Sequence, residues 1–367
     1  MEPFTFIPPP GRILFGPGTA WQVKEEIQRI GATRALFCCT GGRRDDTARL
    51  AQSVGPLNVG ICDQAQLNTP SHVAEAGVAL ARKTNADVAV AYGGGSTVGL
   101  AKIIAHECDI PYIAIVTTFS GSEMNAGQGI NRGGRKVNVM GPRMRPASVI
   151  YDQETIAGLP LSVAVPSGMN AISHACECLY GAGANPPGRL LAEEGIRIMA
   201  QSLRRMVEAP DDLAARGEAQ YGAYLCAAPM ATTRVALQHK ICHTIGNGWG
   251  TPHAENHSIV LPHSLAYNRN HAPESMRQIA RALGDADGDA PTMMYELLGL
   301  LNRIGGPVGL KDNHMPYDGL DQAADIVAAE PYPNPRPFER EAIRALLEDA
   351  WHGHPPAGGR ATLVHSR

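Results

Sequence analysis

Apolar and polar positions along this chain follow two rhythms. Over roughly the first 150 residues, short apolar runs alternate with stretches of helical periodicity. Residues 34–40 form an apolar run closed by Gly41-Gly42, and residues 73–84 repeat at helical spacing. Residues 87–92 make a buried-strand pattern that stops at Gly93-Gly94-Gly95-Ser96-Thr97. A helix is predicted over 98–108, then a strand over 113–116 that runs into Thr117-Thr118-Phe119-Ser120-Gly121-Ser122-Glu123. Strands alternating with helices predict a parallel sheet with crossover helices. Beyond about residue 160 the strand signals stop, and amphipathic helices are predicted over 189–207, 212–230, 233–245, 273–283, 292–304 and 337–351. The expected organisation is an α/β domain over 1–158, an all-α domain over 159–352 with a cleft between the two, and a flexible tail over 353–367.

Composition narrows the class. With 367 residues, 44% hydrophobic and 18% charged, the chain is an ordinary globular protein long enough for two cores. A net charge of −3 gives no electrostatic reason for a nucleic-acid or anionic-membrane partner. No apolar run reaches transmembrane length, and Met1-Glu2-Pro3-Phe4-Thr5 lacks the features of a signal peptide. The eight cysteines (38, 39, 62, 108, 176, 178, 226, 242) are scattered without a CxxC pair, which suits a reducing cytoplasm.

Two clusters carry chemistry. The first is the glycine triplet with its following Ser96 and Thr97, where a strand hands over to a helix. Backbone N–H groups at a helix N-terminus hold phosphate, so the pyrophosphate of a dinucleotide is the expected guest. The plain alternative is a tight turn that needs positive φ at one glycine. Thr117, Thr118 and Ser122 add a second hydroxyl-rich turn after the next strand, where ligands of open α/β sheets sit. After the strand near Thr40 stand Gly41, Gly42, Arg43 and Arg44, with no acidic residue to exclude a 2′-phosphate, so either NADH or NADPH is expected.

The second cluster is histidine. His239 and His243 are four residues apart, on one helix face. His253 follows a Gly-rich turn, and His174 lies in Ser167-Gly168-Met169-Asn170-Ala171-Ile172-Ser173-His174. Two histidines at helical spacing, one from a following loop and one from another helix, is a common way to build a first-row metal site. His257 and His263 are intermediate, either supporting groups or structural ones. His271, His314, His352, His354 and His365 lie in polar loops or the tail and are expected at the surface.

Taken together these motifs resemble the iron-containing (group III) alcohol dehydrogenase family over about residues 4 to 350. The likeness runs through residues 93–102, 117–124, 167–175, 239–243, 252–255 and Asn334-Pro335-Arg336-Pro337. It implies a dehydroquinate synthase-like fold, a dinucleotide-binding α/β domain followed by a helical one. Gly99 and Asn170 stand where the family at large has Asp, and both match its maleylacetate reductase branch. That branch reduces the carbon–carbon double bond of maleylacetate to give 3-oxoadipate during the breakdown of aromatic compounds.

By the same resemblance, Asn170, His174, His239 and His253 occupy the four metal-ligand positions, and His243 the position associated with proton transfer. A neutral amide offsets none of a divalent ion's charge and is a poorer ligand for iron or zinc than a carboxylate. The metal is therefore expected to be dispensable. His239 or His243 then serves as general acid, His174 joins them in the reacting group, and Asn170 and His253 face the substrate. Maleylacetate is a dianion, so fixed positive charge is expected nearby. Among Arg132, Arg135, Lys136, Arg143 and Arg145, Lys136 is the foremost candidate.

Three alternatives stay open. One is a metal-dependent alcohol dehydrogenase or aldehyde reductase in which Asn170 still ligates. Another is a reductase for a different unsaturated or oxo acid, since Asn131 and residues 137–141 depart from the branch pattern. The third is a retired, nucleotide-binding member, against which the joint survival of His174, His239, His243 and His253 argues. The partners expected are a small anionic substrate and a second copy in a homodimer.

Overall fold

A computed structural model describes residues 3–8, 11–67, 69–132 and 135–358, with backbone alone for 131, 132 and 135–138. It divides into two units, residues 9–159 and residues 160–367 with 1–8.

In the first unit the strands and helices come in the order β1 (Arg12–Phe15), α1 (Val23–Arg29), β2 (Ala35–Cys38), α2 (Arg44–Ser53), β3 (Asn58–Cys62), α3 (Ser71–Lys83), β4 (Val88–Gly93), α4 (Gly95–Cys108) and β5 (Tyr112–Val116). A hairpin of β6 (Gly127–Arg132) and β7 (Arg135–Met140) follows, then β8 (Ser148–Tyr151). Six strands form one sheet in the order β1-β8-β5-β4-β2-β3, every neighbouring pair parallel. A parallel sheet is covered on both faces, so its strands are apolar throughout rather than alternating. All residues of β2, β4, β5 and β8 are buried accordingly. After β2 the chain moves outward to β3; after β4 it turns the opposite way, to β5. The carboxyl ends of β2 and β4 thus flank a topological switch point, where such sheets bind ligands.

The cluster of Arg132, Arg135 and Lys136 falls on strands rather than in a loop: residues 127–132 and 135–140 are paired antiparallel, with Gly127 opposite Met140 and Ile130 opposite Val137.

The second unit is helical: α5 (Leu161–Tyr180), α6 (Pro186–Glu208), α7 (Leu213–Ala227), α8 (Leu237–Trp249), α9 (His253–Asn268), α10 (Pro273–Leu283), α11 (Ala290–Arg303), α12 (Gly319–Ala329) and α13 (Arg340–His352). Of these, α9 and α12 had no counterpart among the predicted helices, α5 was expected only as a helix of unstated bounds carrying His174, and His253, expected on a loop, opens α9. In α5, residues 164–179 are all buried, and α9 is buried from Asn256 to Leu265. A helix wrapped by its neighbours has no polar stripe to reveal it. Each also contains a proline, Pro166 and Pro262, that reads as a break in sequence. These two hidden helices carry most of the histidine site. The tail from residue 359 lies outside the described residues. Among the described residues, no helix is long and apolar enough to cross a membrane.

Candidate active site

At the switch point of the first unit lies a cavity of about 250 Å³ lined by Thr40, Arg43, Gly93, Gly94, Gly95, Ser96, Thr97, Thr117, Thr118 and Leu159. Seven of the nine residues expected at the nucleotide are on its wall. Gly41 and Ser122 are not: Gly41 opens the short turn between Thr40 and Arg43, and the Ser122 carbonyl faces Lys102.

The triplet is glycine for closeness of approach, not for positive φ. None of the three has a left-handed backbone. A Cβ on Gly93 would lie 2.3 Å from Thr97 Oγ1, and one on Gly94 2.7 Å from the Thr118 side chain. Helix α4 starts at Gly95, three residues earlier than predicted, with no side chain capping its first turn. Its leading N–H groups are therefore available to an anion. The buried hydroxyls Thr97 Oγ1 and Thr118 Oγ1 have no partner, as expected of walls that await a polar guest. Of the two arginines, Arg43 lines the cavity and is paired with Asp46 at 3.2 Å, and Arg44 is paired with Asp63 at 2.5 Å.

Beneath this cradle Lys102 is fully buried beside Glu123, and burial pushes its pKa down to about 7 against the pull of that carboxylate. Burial raises the Glu123 pKa, an effect opposed by the hydrogen bond that Tyr151 donates at 2.7 Å.

In the second unit, α5, α8 and α9 converge on five imidazoles. The rings of His174 and His239 stack at 5.0 Å between centroids, and His257 lies edge-on to His239 at 4.5 Å and to His253 at 4.6 Å. His243 stands 5.7 Å from His239 and 6.1 Å from His253. The rings of His174, His239, His243 and His253 thus lie in one cluster, and Asn170 stands one turn before His174 on α5. His257, left intermediate in sequence, is at their centre.

Hydrogen bonds orient two of the rings, His239 and His257. Glu177 Oε2 lies 2.5 Å from His239 Nδ1, so Nδ1 carries the proton and Nε2 is left open. Ser173 donates its hydroxyl to the Asn170 carbonyl at 2.7 Å, and its oxygen, 2.9 Å from His257 Nδ1, is then an acceptor. Gln238 donates to the His257 carbonyl at 2.9 Å and accepts from Ser264 at 2.7 Å. His257 accordingly also presents Nε2. Burial, then the charge of neighbouring imidazoles, holds the His174 and His257 pKa values well below the usual range, keeping both rings neutral. Asn170 Oδ1, His174 Nδ1, His239 Nε2 and His257 Nε2 are buried without partners. Each orphaned polar atom costs about 1–3 kcal/mol, so four on converging side chains mark a place for a ligand.

These donors would offset none of the charge of a divalent ion. They are neutral imidazoles and an amide, and the nearby carboxylate, Glu177, is committed to His239 Nδ1. Among the described residues, no group of three or more His, Cys, Asp or Glu side chains is disposed to hold a metal ion.

Sequence reading missed Glu177, although it lies three residues after His174 and seven after Asn170, on the same helix face. Thr40 was likewise missed at the nucleotide cavity. His263 is buried with Nε2 unpartnered, its pKa pushed down by burial to about 3, but its ring is not in contact with the cluster. The Lys136 side chain lies outside the described residues. Arg143 is bound to Asp109 at 2.8 Å on the surface. His271, His314, His352 and His354 are exposed as expected, and His365 lies outside the described residues.

Comparison with known proteins places this arrangement. Residues 10–153 match the family described as iron-containing alcohol dehydrogenase, and residues 164–351 match the description Fe-containing alcohol dehydrogenase family, C-terminal. The chain belongs to the iron-containing alcohol dehydrogenase family and is an oxidoreductase. It is 43% identical to the maleylacetate reductase of Burkholderia cepacia over 357 residues, 97% of this chain and 100% of that one. The crystal structure of maleylacetate reductase from Agrobacterium tumefaciens superposes with a TM-score of 0.92 at 39% identity, covering 97% of this chain and all of that one. A putative alcohol dehydrogenase from Ralstonia eutropha JMP134 superposes with a TM-score of 0.94 at 45% identity and the same coverage.

Proposed function

We infer that this chain reduces the carbon–carbon double bond of maleylacetate to give 3-oxoadipate, using NADH or NADPH and no resident metal. The observation that carries the reading is Asn170: an amide, not a carboxylate, completes a set of imidazoles whose open nitrogens converge. The substrate assignment is supported by relatives named for maleylacetate reduction that match nearly the whole chain.

When bound, the reduced nicotinamide supplies the hydride. Gly93 to Thr97 at the start of α4 hold its pyrophosphate, with Thr117 and Thr118 as the facing wall. No acidic side chain lines that cavity while Arg43 does, which supports acceptance of both NADH and NADPH.

Hydride arriving at the alkene carbon β to the ketone sends electron density toward the keto oxygen, and the α carbon then needs a proton. An imidazolium at His239 supplies it from Nε2, because Glu177 keeps the other proton on Nδ1 and stabilises the cationic ring. His243 is half-buried and adjacent, placed to return a proton from solvent. Asn170, His253 and neutral His257 orient the substrate's oxygens. Eight free cysteines, seven of them buried, support a reducing compartment such as the cytoplasm.

Turnover of maleylacetate with NADH deuterated at the hydride position tests this. The 3-oxoadipate formed is expected to carry deuterium on the methylene β to the ketone. Oxidation of NADH with simple aldehydes but not with maleylacetate would overturn it.

A further inference from the structure

We propose that Lys102 is a positioning residue for the nucleotide cavity: its ammonium group ties the loop after β5 to α4 and so holds one wall of the cavity against the other. The proposal rests on the reading of that cavity as the nucleotide site.

Lys102 lies two turns along the helix whose first residues form the glycine cradle. Its Nζ donates to the Ser122 carbonyl at 2.6 Å, to Asn125 Oδ1 at 2.8 Å and to the Gly127 carbonyl at 3.0 Å. Three acceptors use all three N–H bonds of an ammonium group. Asn125 Oδ1 also accepts from the Gly127 amide at 3.0 Å, closing the loop on itself. One turn earlier on the same face stands Gly99, where a Cβ would come within 2.8 Å of the Gln128 amide. The segment from Ser122 to Gln128 is thus laid onto α4 at consecutive points.

What this segment holds in place is the cavity wall. Thr118 sits against Gly94 as described, and Ser120 Oγ lies 3.3 Å from the position of a Cβ on Gly95. Cradle and wall are in contact, so a shift of the loop opens or closes the site. Burying an ammonium costs several kcal/mol, and a methionine of similar length would fill the same space at lower cost. The charge is explained by the three carbonyl-type oxygens it gathers, all on the segment that follows the wall.

The test compares wild type with Lys102→Met and the milder Asn125→Ala, which removes one acceptor without stranding the ammonium. NADH affinity is read by fluorescence titration, ADP-ribose affinity by calorimetry, and stability by thermal unfolding. Both variants are expected to weaken both ligands by about 10-fold, the loss anticipated when a prepositioned wall becomes mobile, with the KM for maleylacetate unchanged. Variants with lower Tm but unaltered NADH and ADP-ribose affinity would reduce Lys102 to a structural role and overturn the proposal. If wild type itself binds neither ligand, the nucleotide reading fails first and takes this role with it.

Discussion

Glu177 and His239 form a buried dyad in which carboxylate Oε2 stands 2.5 Å from imidazole Nδ1 and both side chains are almost wholly excluded from solvent. The contact decides which nitrogen faces the other histidines and provides a counter-charge for a protonated ring.

Replacing Glu177 by Gln keeps the shape and removes the charge. The expected outcome is a fall in kcat of about 10- to 100-fold, with NADH affinity unchanged because Glu177 is not on the wall of the nucleotide cavity. Steady-state kinetics and a fluorescence titration check it; an unchanged kcat would remove Glu177 from the mechanism.

Gly94→Ala puts a methyl group where Thr118 already stands. The clash should cost about 1–3 kcal/mol of stability and push Thr118 out of its place in the cavity wall. Weaker NADH binding with a normal response to maleylacetate concentration is the signature to look for.

Asn170→Asp supplies the missing carboxylate. Zinc or iron retained after dialysis is expected to rise by about 10-fold or more, read as metal content per chain. Maleylacetate turnover should fall as the open nitrogens are occupied. A variant no more retentive than wild type would show that Asn170 is not what keeps the site metal-free.

His263 gives a pH prediction. Burial pushes its pKa down from the ordinary imidazole value of 6.5 to about 3, so the unfolded chain binds the extra proton across that interval. Stability should therefore rise as pH increases from about 3 to 6.5 and gain nothing further from this group above it. The neutral rings of His174 and His257 act in the same direction. In Tm measurements across that range, His263→Met should flatten part of the acid-side slope.

Legibility in the sequence followed the physics of exposure. The parallel sheet could be read because buried strands are short, apolar and closed by glycine, as 87–92 is. The pair His239 and His243 could be read because one helix turn separates them. Helices α5 and α9 could not, since burial on all sides erased the amphipathic stripe that gave away 273–283. Glu177 went with them although it is three residues from His174, and His257, four from His253, was left between a supporting and a structural role. The hairpin had a visible signal in Gly133-Gly134 between two short runs, masked by the arginines around it. The reason for the glycine triplet lay in Thr97 and Thr118, and only the folded chain brings Thr118 to Gly94.

The most direct test of the central claim is NADH oxidation with maleylacetate before and after exhaustive EDTA treatment, with metal content measured in parallel. The account predicts rapid turnover that chelation leaves unchanged in protein carrying no stoichiometric metal. Turnover abolished by EDTA and restored by iron or zinc would contradict it and return the histidines to a metal.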